Sequence, residues 1–334
     1  MSGSIRVLIE GITISIASVT TAYNAACVLP RQLGALLGQT RPLQEIVVVD
    51  NGSSDGTRQM LAGRYPQVTV LPLPANVGAA GAWAAGLEYA ALKRRHDWIW
   101  TFDDDSVPDP SALETLLAVS HTPVNASDTA DRPDRDEWGG PAIIAMLPVH
   151  AGTGKCYLPL LWRERFCKPT LEDLRQPVWF ADLAIASGLL VRSEVVKTVG
   201  LPRADFFMDF FDFEYCLRAR AHGYRIAVVT GARLAHEIGK AREVRLPGFS
   251  VLWPNHAPWR EYYMSRNLTY ALWWLYPSAP GKRFALGHLL RHAVGVLLFG
   301  SHQAACLRKM AQGFWDGRRA RLGVRFRPLQ GNNQ

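Results

Sequence analysis

The sequence has no segment that reads as a membrane span, a secretory leader, a P-loop or a hydrolase elbow. Its longest apolar stretch, Phe284–Gly300, is interrupted by His288, Arg291 and His292. A spanning helix needs roughly 20 mostly apolar residues. The opening MSGSIRVLIEGITISI lacks a charged n-region, a clear apolar h-region and a small-residue cleavage site, so no secretory signal is expected. Neither GxxxxGKS, GxxxxGKT nor GxSxG occurs, which argues against Walker-type nucleotide binding and an elbow serine. The five cysteines (Cys27, Cys156, Cys167, Cys216 and Cys306) are scattered, without a CxxC pair. That excludes a zinc ribbon or disulfide framework and suits a reducing cytoplasm. Repeats of solenoid period are absent. With Gly at 28 and Pro at 21, collagen-like and low-complexity classes are excluded too.

What is present is an ordinary globular composition, 48% hydrophobic and 20% charged over 334 residues, enough for a large core or two lobes. The net charge of +8 is concentrated at one end: from Gly281 onward ten basic residues face one acid, Asp316. A basic tail suits nucleic acid or an anionic leaflet, the latter worth roughly 1 kcal/mol per well-placed Lys or Arg. Beside the broken apolar stretch, the tail predicts an interfacial amphipathic helix, with a buried core helix as the alternative.

The first half alternates strand and helix signals. Ile12–Val19, Glu45–Val49, Val68–Leu73 and Trp98–Phe102 read as strands. Leu29–Gln39, Thr57–Arg64 and Gly78–Leu92 read as helices. Asp55 is expected to cap the second of these helices. Ser111 with Glu114 predicts a capping box on the next. Such units imply a mostly parallel sheet flanked by helices, which binds ligands beyond the carboxyl ends of its strands. Residues 121–137 read as a loop or lobe boundary, followed by a strand at Arg225–Val229. Three segments are expected: 12–125, 126–246 and an aromatic, basic, helical 247–334.

Five constellations carry chemistry. Asp103-Asp104-Asp105 follows a buried strand, and three adjacent carboxylates repel unless a hard divalent cation sits among them; a solvated acidic turn is the bland alternative. Asp50-Asn51-Gly52-Ser53-Ser54-Asp55-Gly56 ends another strand, where a carboxylate can accept from a base N–H. Asn76-Val77-Gly78 opens a helix with small residues that allow close approach to a nucleotide, or to another helix. Asp209, Asp212 and Glu214 are interleaved with aromatics, whose desolvating effect raises carboxylate pKa toward useful base values. Glu214 and Arg218 are spaced to pair on a helix. His236 follows a strand and can ligate a metal as neutral imidazole, although a lone His is more often structural.

In this order the segments resemble the inverting family 2 glycosyltransferases of GT-A fold, from about Ser15 to His236. The resemblance rests on VVVDNGSSDGT, WIWTFDDDSVPDP and DFEYCLRARAHGY as a set. It implies a Rossmann-like GT-A domain with a C-terminal helical, membrane-associating segment. Thr21, Ala22 and Tyr23 would border the nucleotide, Asp50 its base, Asp104 its ribose, and Asn76 would also lie at the donor. Asp103, Asp105 and His236 would hold Mg²⁺ or Mn²⁺. Asp212 matches the base, with Asp209 as a competitor or acceptor contact. Gly188 falls in the acceptor-side loop, where Trp179 could stack on a sugar; core packing is its alternative.

FMDFFDFEYCLRA resembles rhamnosyltransferases and NVGAAGAWAAGLEYA galactofuranosyltransferases, so dTDP-rhamnose is the favoured donor and UDP-galactofuranose the next. The expected acceptor is a lipid-linked glycan at the inner face of the cytoplasmic membrane; an anionic membrane surface is an expected partner and nucleic acid is not. Two rival classes are a non-catalytic glycan- or nucleotide-sugar-binding protein on this fold and a metal-dependent nucleotidyltransferase. The second normally carries a basic, Gly-rich loop after its first strand, which TTAYNAA does not supply.

Overall fold

The computed structural model describes residues 14–120, 140–150, 161–162, 166–236, 241–246 and 249–328. The expected loop at 121–137 lies outside them. The strands are β1 (Ile16–Ala22), β2 (Glu45–Asp50), β3 (Thr69–Pro72), β4 (Trp98–Asp103), β5 (Val107–Pro108), β6 (Ile143–His150), β7 (Leu161–Trp162), β8 (Phe166–Cys167), β9 (Val178–Ala181), β10 (Leu189–Arg192), β11 (Ile226–His236), β12 (Ala241–Leu246) and β13 (Phe249–Pro254). The helices are α1 (Leu29–Leu37), α2 (Thr57–Arg64), α3 (Gly78–Leu87), α4 (Ala112–Val119), α5 (Leu171–Arg175), α6 (Ser193–Val199), α7 (Phe211–Ala221), α8 (Pro258–Tyr270), α9 (Ala279–Phe299) and α10 (Gln303–Arg318).

Nine strands form one sheet in the order β3-β2-β1-β4-β10-β6-β11-β5, with β9 added on β11. Six of them (β1 to β4, β6 and β11) point the same way, and β5, β9 and β10 oppose them. The sheet is therefore mostly parallel and runs unbroken through both halves of the chain.

The unbroken apolar runs follow from burial on both faces. Val47 and Val49 face a core shared with α3, α6 and α7, where Trp83, Val196 and Tyr215 pack. Their neighbours Ile46 and Val48 face the opposite core, with Leu29, Leu33, Leu61 and Leu113 from α1, α2 and α4. Trp98, Trp100 and Phe102 belong to that second core. After the sheet, α8 to α10 pack together, and no described helix is long and apolar enough to cross a membrane.

Local expectations differ from the structure at three places. β1 ends at Ala22, three residues past the expected Val19, because the ladder to β2 continues to Ala22 opposite Asp50. The strand expected at Arg225–Val229 crosses a bulge between Val229 and Arg233 and runs on to His236. The Ser111–Glu114 capping box does not form: Ser111 makes no side-chain cap, and Glu114 accepts from the Thr40 hydroxyl at 2.9 Å instead. Asp55 does accept from the Thr57 N–H at the start of α2, at 3.0 Å.

Candidate active site

Sheet register brings the residues expected at the donor to one rim. Thr21 lies opposite Asp103 and Ala22 opposite Asp50. The loop after β1 is tied down on both sides. The Tyr23 N–H donates to Asp104 at 3.1 Å, and Asn24 accepts from the Ser54 N–H at 2.8 Å. Asp50 is fully buried; its carboxylate pairs with Arg58 and accepts from the Ser53 N–H at 3.1 Å. At that point Arg58 meets solvent and Asp50 does not. Asn76 accepts from the Gly78 N–H at 2.8 Å and from the Asn51 amide at 3.2 Å, holding the turn into α3.

Asp103, Asp104 and Asp105 form the turn after β4, all partly exposed. The turn is fixed from beneath: the Asp103 N–H donates to Ser187 Oγ at 3.2 Å, and Ser187 and Ser106 share a 2.6 Å hydroxyl contact. Burial pushes the Asp104 carboxyl up to about 7, and the charges of Asp105 and Asp103 add to it. So dense a set of oxygen ligands suits a hard divalent cation, whose charge removes that repulsion. The β11–β5 ladder pairs Leu234 with Pro108 and Ala235 with Val107, so the His236 backbone comes next to Ser106. The His236 side chain lies outside the described residues.

Asp212 opens α7 on the same side. Burial raises its carboxyl to about 7; a hydrogen bond from the Phe213 N–H opposes this, and the charges of Asp209 and Asp103 add to it. The Ala186 backbone also donates to it. The segment leading in is strained: Phe207, Asp209 and Phe210 have φ of 65°, 58° and 63°, where non-glycine residues rarely sit. Gly78 abuts this segment, and a Cβ there would lie 2.1 Å from the Phe207 carbonyl oxygen. Asp209 is engaged differently: Arg260 grips both its oxygens, at 2.8 to 3.2 Å.

Residues 18–153 match the family described as Glycosyl transferase family 2. Residues 18–153 thus carry a glycosyl transferase family 2 domain. The chain is 26% identical over 262 residues to the dTDP-rhamnosyl transferase RfbF of Shigella flexneri, covering 76% of this chain and 78% of that one. It is 28% identical over 228 residues to the galactofuranosyltransferase GlfT1 of Mycolicibacterium smegmatis, covering 67% and 71%. To the N-acetylglucosaminyl-diphospho-decaprenol L-rhamnosyltransferase of Mycobacterium tuberculosis it is 28% identical over 236 residues, covering 65% and 74%. Among solved structures it superposes on GalNAc-T7 with UDP, GalNAc and Mn²⁺ at a TM-score of 0.57, with 15% identity over 92% of this chain and 56% of that one. Staphylococcus aureus TarS gives 0.53 with 15% identity, over 92% and 49%. The chain thus spans about half the length of these two GT-A neighbours.

The family 2 match ends before Asp212, so the strained segment stands on its geometry. Gly188 sits in the loop entering β10 with φ of 78°, and its N–H donates to the Thr101 carbonyl at 2.7 Å. This puts the Ala186–Gly188 loop between the aspartate turn and Asp212. Trp179 is a correction. It is 5% exposed within the core beside the sheet, opposite Val228 on β11, and offers no face to a sugar. The core alternative holds because burial alternates along β9, and Trp179 with Ala181 is on the covered face.

Three residues to which the sequence assigned no role at the site complete it: Arg260, Arg266 and Asn267, all on α8, the last two in the run Tyr262–Asn267 that resembles the family's segment before its membrane-facing helices. The Asn267 amide donates to the Phe206, Met208 and Asp209 carbonyls at 2.7 to 3.0 Å. Arg266 donates to the Asp205 and Phe206 carbonyls at 3.0 and 2.8 Å. Both are fully buried, and a buried cation and amide in one helix were the available signal.

Proposed function

We propose that the chain is an inverting, metal-dependent glycosyltransferase that moves a sugar from a nucleotide donor onto a lipid-linked glycan at an anionic membrane surface. The observation that carries this is the meeting, at one sheet rim, of the triple-aspartate turn and a carboxyl held near neutral pKa at Asp212. Asp103 and Asp105, with His236 next to Ser106 in the ladder, are the residues that would hold Mg²⁺ or Mn²⁺. Bound there, the cation supplies charge neutralisation for the departing diphosphate. Asp212 takes the proton from the acceptor hydroxyl as that oxygen attacks the anomeric carbon. One displacement from the face opposite the nucleotide inverts the centre. The Arg260 grip leaves Asp209 an electrostatic neighbour of Asp212, not the base. Thr21 to Tyr23, Asp104 and the Asn76 turn line the donor side.

The relatives named for dTDP-rhamnose and galactofuranose support those two donors, rhamnose first. The test is a melting curve of the full chain with dTDP-rhamnose or UDP-galactofuranose. One donor is expected to raise Tm in the presence of Mn²⁺, since a ligand that binds only the folded chain stabilises it. EDTA is expected to remove both that shift and transfer. Transfer at an unchanged rate in EDTA overturns the cation's role. Donor cleavage without any acceptor product, or donor binding without turnover, favours the binding-protein reading.

The membrane proposal rests on α9. Leu286, Leu290, Val294, Leu297 and Leu298 are all exposed along it, and helical spacing puts them on one side. Arg283 and Arg291 flank them, exposed. His288 and His292 fall on the inward side, so two of the three breaks in the apolar stretch are directed into the protein. A helix with this pattern lies in the interface and does not span. Leu290→Glu with Leu297→Glu is expected to weaken binding to vesicles containing anionic lipid at least about tenfold, read by flotation. Unchanged flotation means the stripe contacts something other than lipid.

A further inference from the structure

Behind the active-site rim, α8 and α9 hold a second cluster that the transfer reaction does not use. Glu261 is 2% exposed, one residue on from Arg260. His292 Nε2 lies 2.8 and 3.1 Å from its two oxygens. His256 Nδ1 lies 3.8 Å from Glu261 Oε1, sealed from solvent and without a hydrogen bond. These three ligand atoms all fall within 4.8 Å of one another.

We propose that His256, Glu261 and His292 form a site for a nitrogen-favouring divalent cation of the zinc class, which staples α9 to α8. Zinc takes His and Glu together, with bonds of about 2.1 Å, so tetrahedral ligands stand about 3.4 Å apart. Measured to the one oxygen Oε1, the observed 3.1 Å from His292 and 3.8 Å from His256 bracket that spacing. The sealed Nδ1 is the second observation: a buried imidazole nitrogen is normally hydrogen-bonded, and this one faces a carboxylate it does not reach. Burial and the Arg260 charge both lower the His256 imidazole from its ordinary value. Aromatic rings pack against the cluster. The Trp253 ring stacks on His292 at 5.2 Å and His288 lies parallel to it at 6.4 Å.

The site is distinct in chemistry from the aspartate turn. Two carboxylates with a single imidazole suit Mg²⁺ or Mn²⁺, whereas two imidazoles with one carboxylate favour zinc, cobalt or nickel. Its consequence is mechanical. α8 carries Arg260, Arg266 and Asn267, which hold the strained segment before Asp212, and α9 carries the exposed leucine stripe. A cation between His292 and Glu261 would make the lipid-facing helix and the base-holding helix one rigid piece.

The test uses the full chain, stripped with EDTA and then titrated with Zn²⁺ alone by calorimetry, with metal content read after dialysis. The expected result is about one tightly held zinc per chain, retained in Asp103→Asn/Asp105→Asn and lost in His256→Gln and in His292→Gln. Co²⁺ in its place is expected to give the visible absorption of tetrahedral cobalt. Because the readout is metal alone, in protein whose aspartate turn is disabled, it stands apart from whether the chain transfers sugar. Should a His variant fail to fold, the wild-type Co²⁺ spectrum still decides between nitrogen ligation and none. Absence of zinc from the folded wild type, or zinc that both His variants retain, overturns the proposal and leaves the cluster a hydrogen-bonded pin.

Discussion

Asp212→Asn is expected to lower kcat by about 10² to 10⁴-fold, the usual contribution of a positioned general base, while the Mn²⁺-dependent donor shift in Tm persists. In the proposed reaction this carboxylate meets the acceptor proton and not the nucleotide, so donor binding is expected to be spared. The pH profile carries the finer test. With the carboxyl raised to about 7 in the free protein, the active, ionised fraction falls as pH drops through that value. kcat/KM should then lose about tenfold per unit on the acid side. A cation held at Asp103 works the other way, so the limb sits at or below about 7. Asp209→Asn removes one of the charges that hold the proton on Asp212 and frees Arg260, so the limb should move to lower pH with kcat largely kept. The reverse pattern, a larger loss in Asp209→Asn than in Asp212→Asn, would transfer the base to Asp209.

The sheet and its chemistry-bearing ends were legible because their signals are local. EIVVV and WIWTF are continuous apolar runs, and each stops at an acid. That pairing states both burial on two faces and which end is open to a ligand. The residues that hold the segment before Asp212 were not legible. Arg260, Arg266 and Asn267 sit about 50 to 60 residues beyond the segment they hold, and nothing in SRN alone says which carbonyls it serves. Trp179 shows the converse limit: an aromatic on a short strand has the same local appearance whether it faces a sugar or a core. The capping box failed for a related reason, since Glu114 found a partner in Thr40, distant in sequence. The breaks in the α9 run became readable only when Glu261 was seen facing His292.

Arg266→Met should cost about 3 to 5 kcal/mol of unfolding free energy, read from the shift of the urea midpoint at constant slope. The guanidinium is fully buried and donates to three main-chain carbonyls, those of Asp205, Phe206 and Gly323, and to the Asn267 side chain. Met fills similar space without a donor. With Met there, the Phe206 carbonyl keeps donors from Asn267 and Met208, and the Asp205 carbonyl keeps the Gly323 N–H. The Gly323 carbonyl and the Asn267 Oδ1 lose the guanidinium, at about 1 to 3 kcal/mol each, offset in part by no longer burying a cation. Two of those carbonyls belong to the turn that enters the positive-φ run at Phe207, Asp209 and Phe210. Such backbone persists only where its surroundings over-determine it, and here α8 supplies the constraint. kcat should therefore fall in Arg266→Met by more than donor binding does. Arg266→Lys should recover only part of both losses, because a single ammonium does not reproduce the planar fork that serves carbonyls from two chain segments. A destabilisation below about 1 kcal/mol, with kcat intact, would mean that the segment before Asp212 keeps its shape without α8.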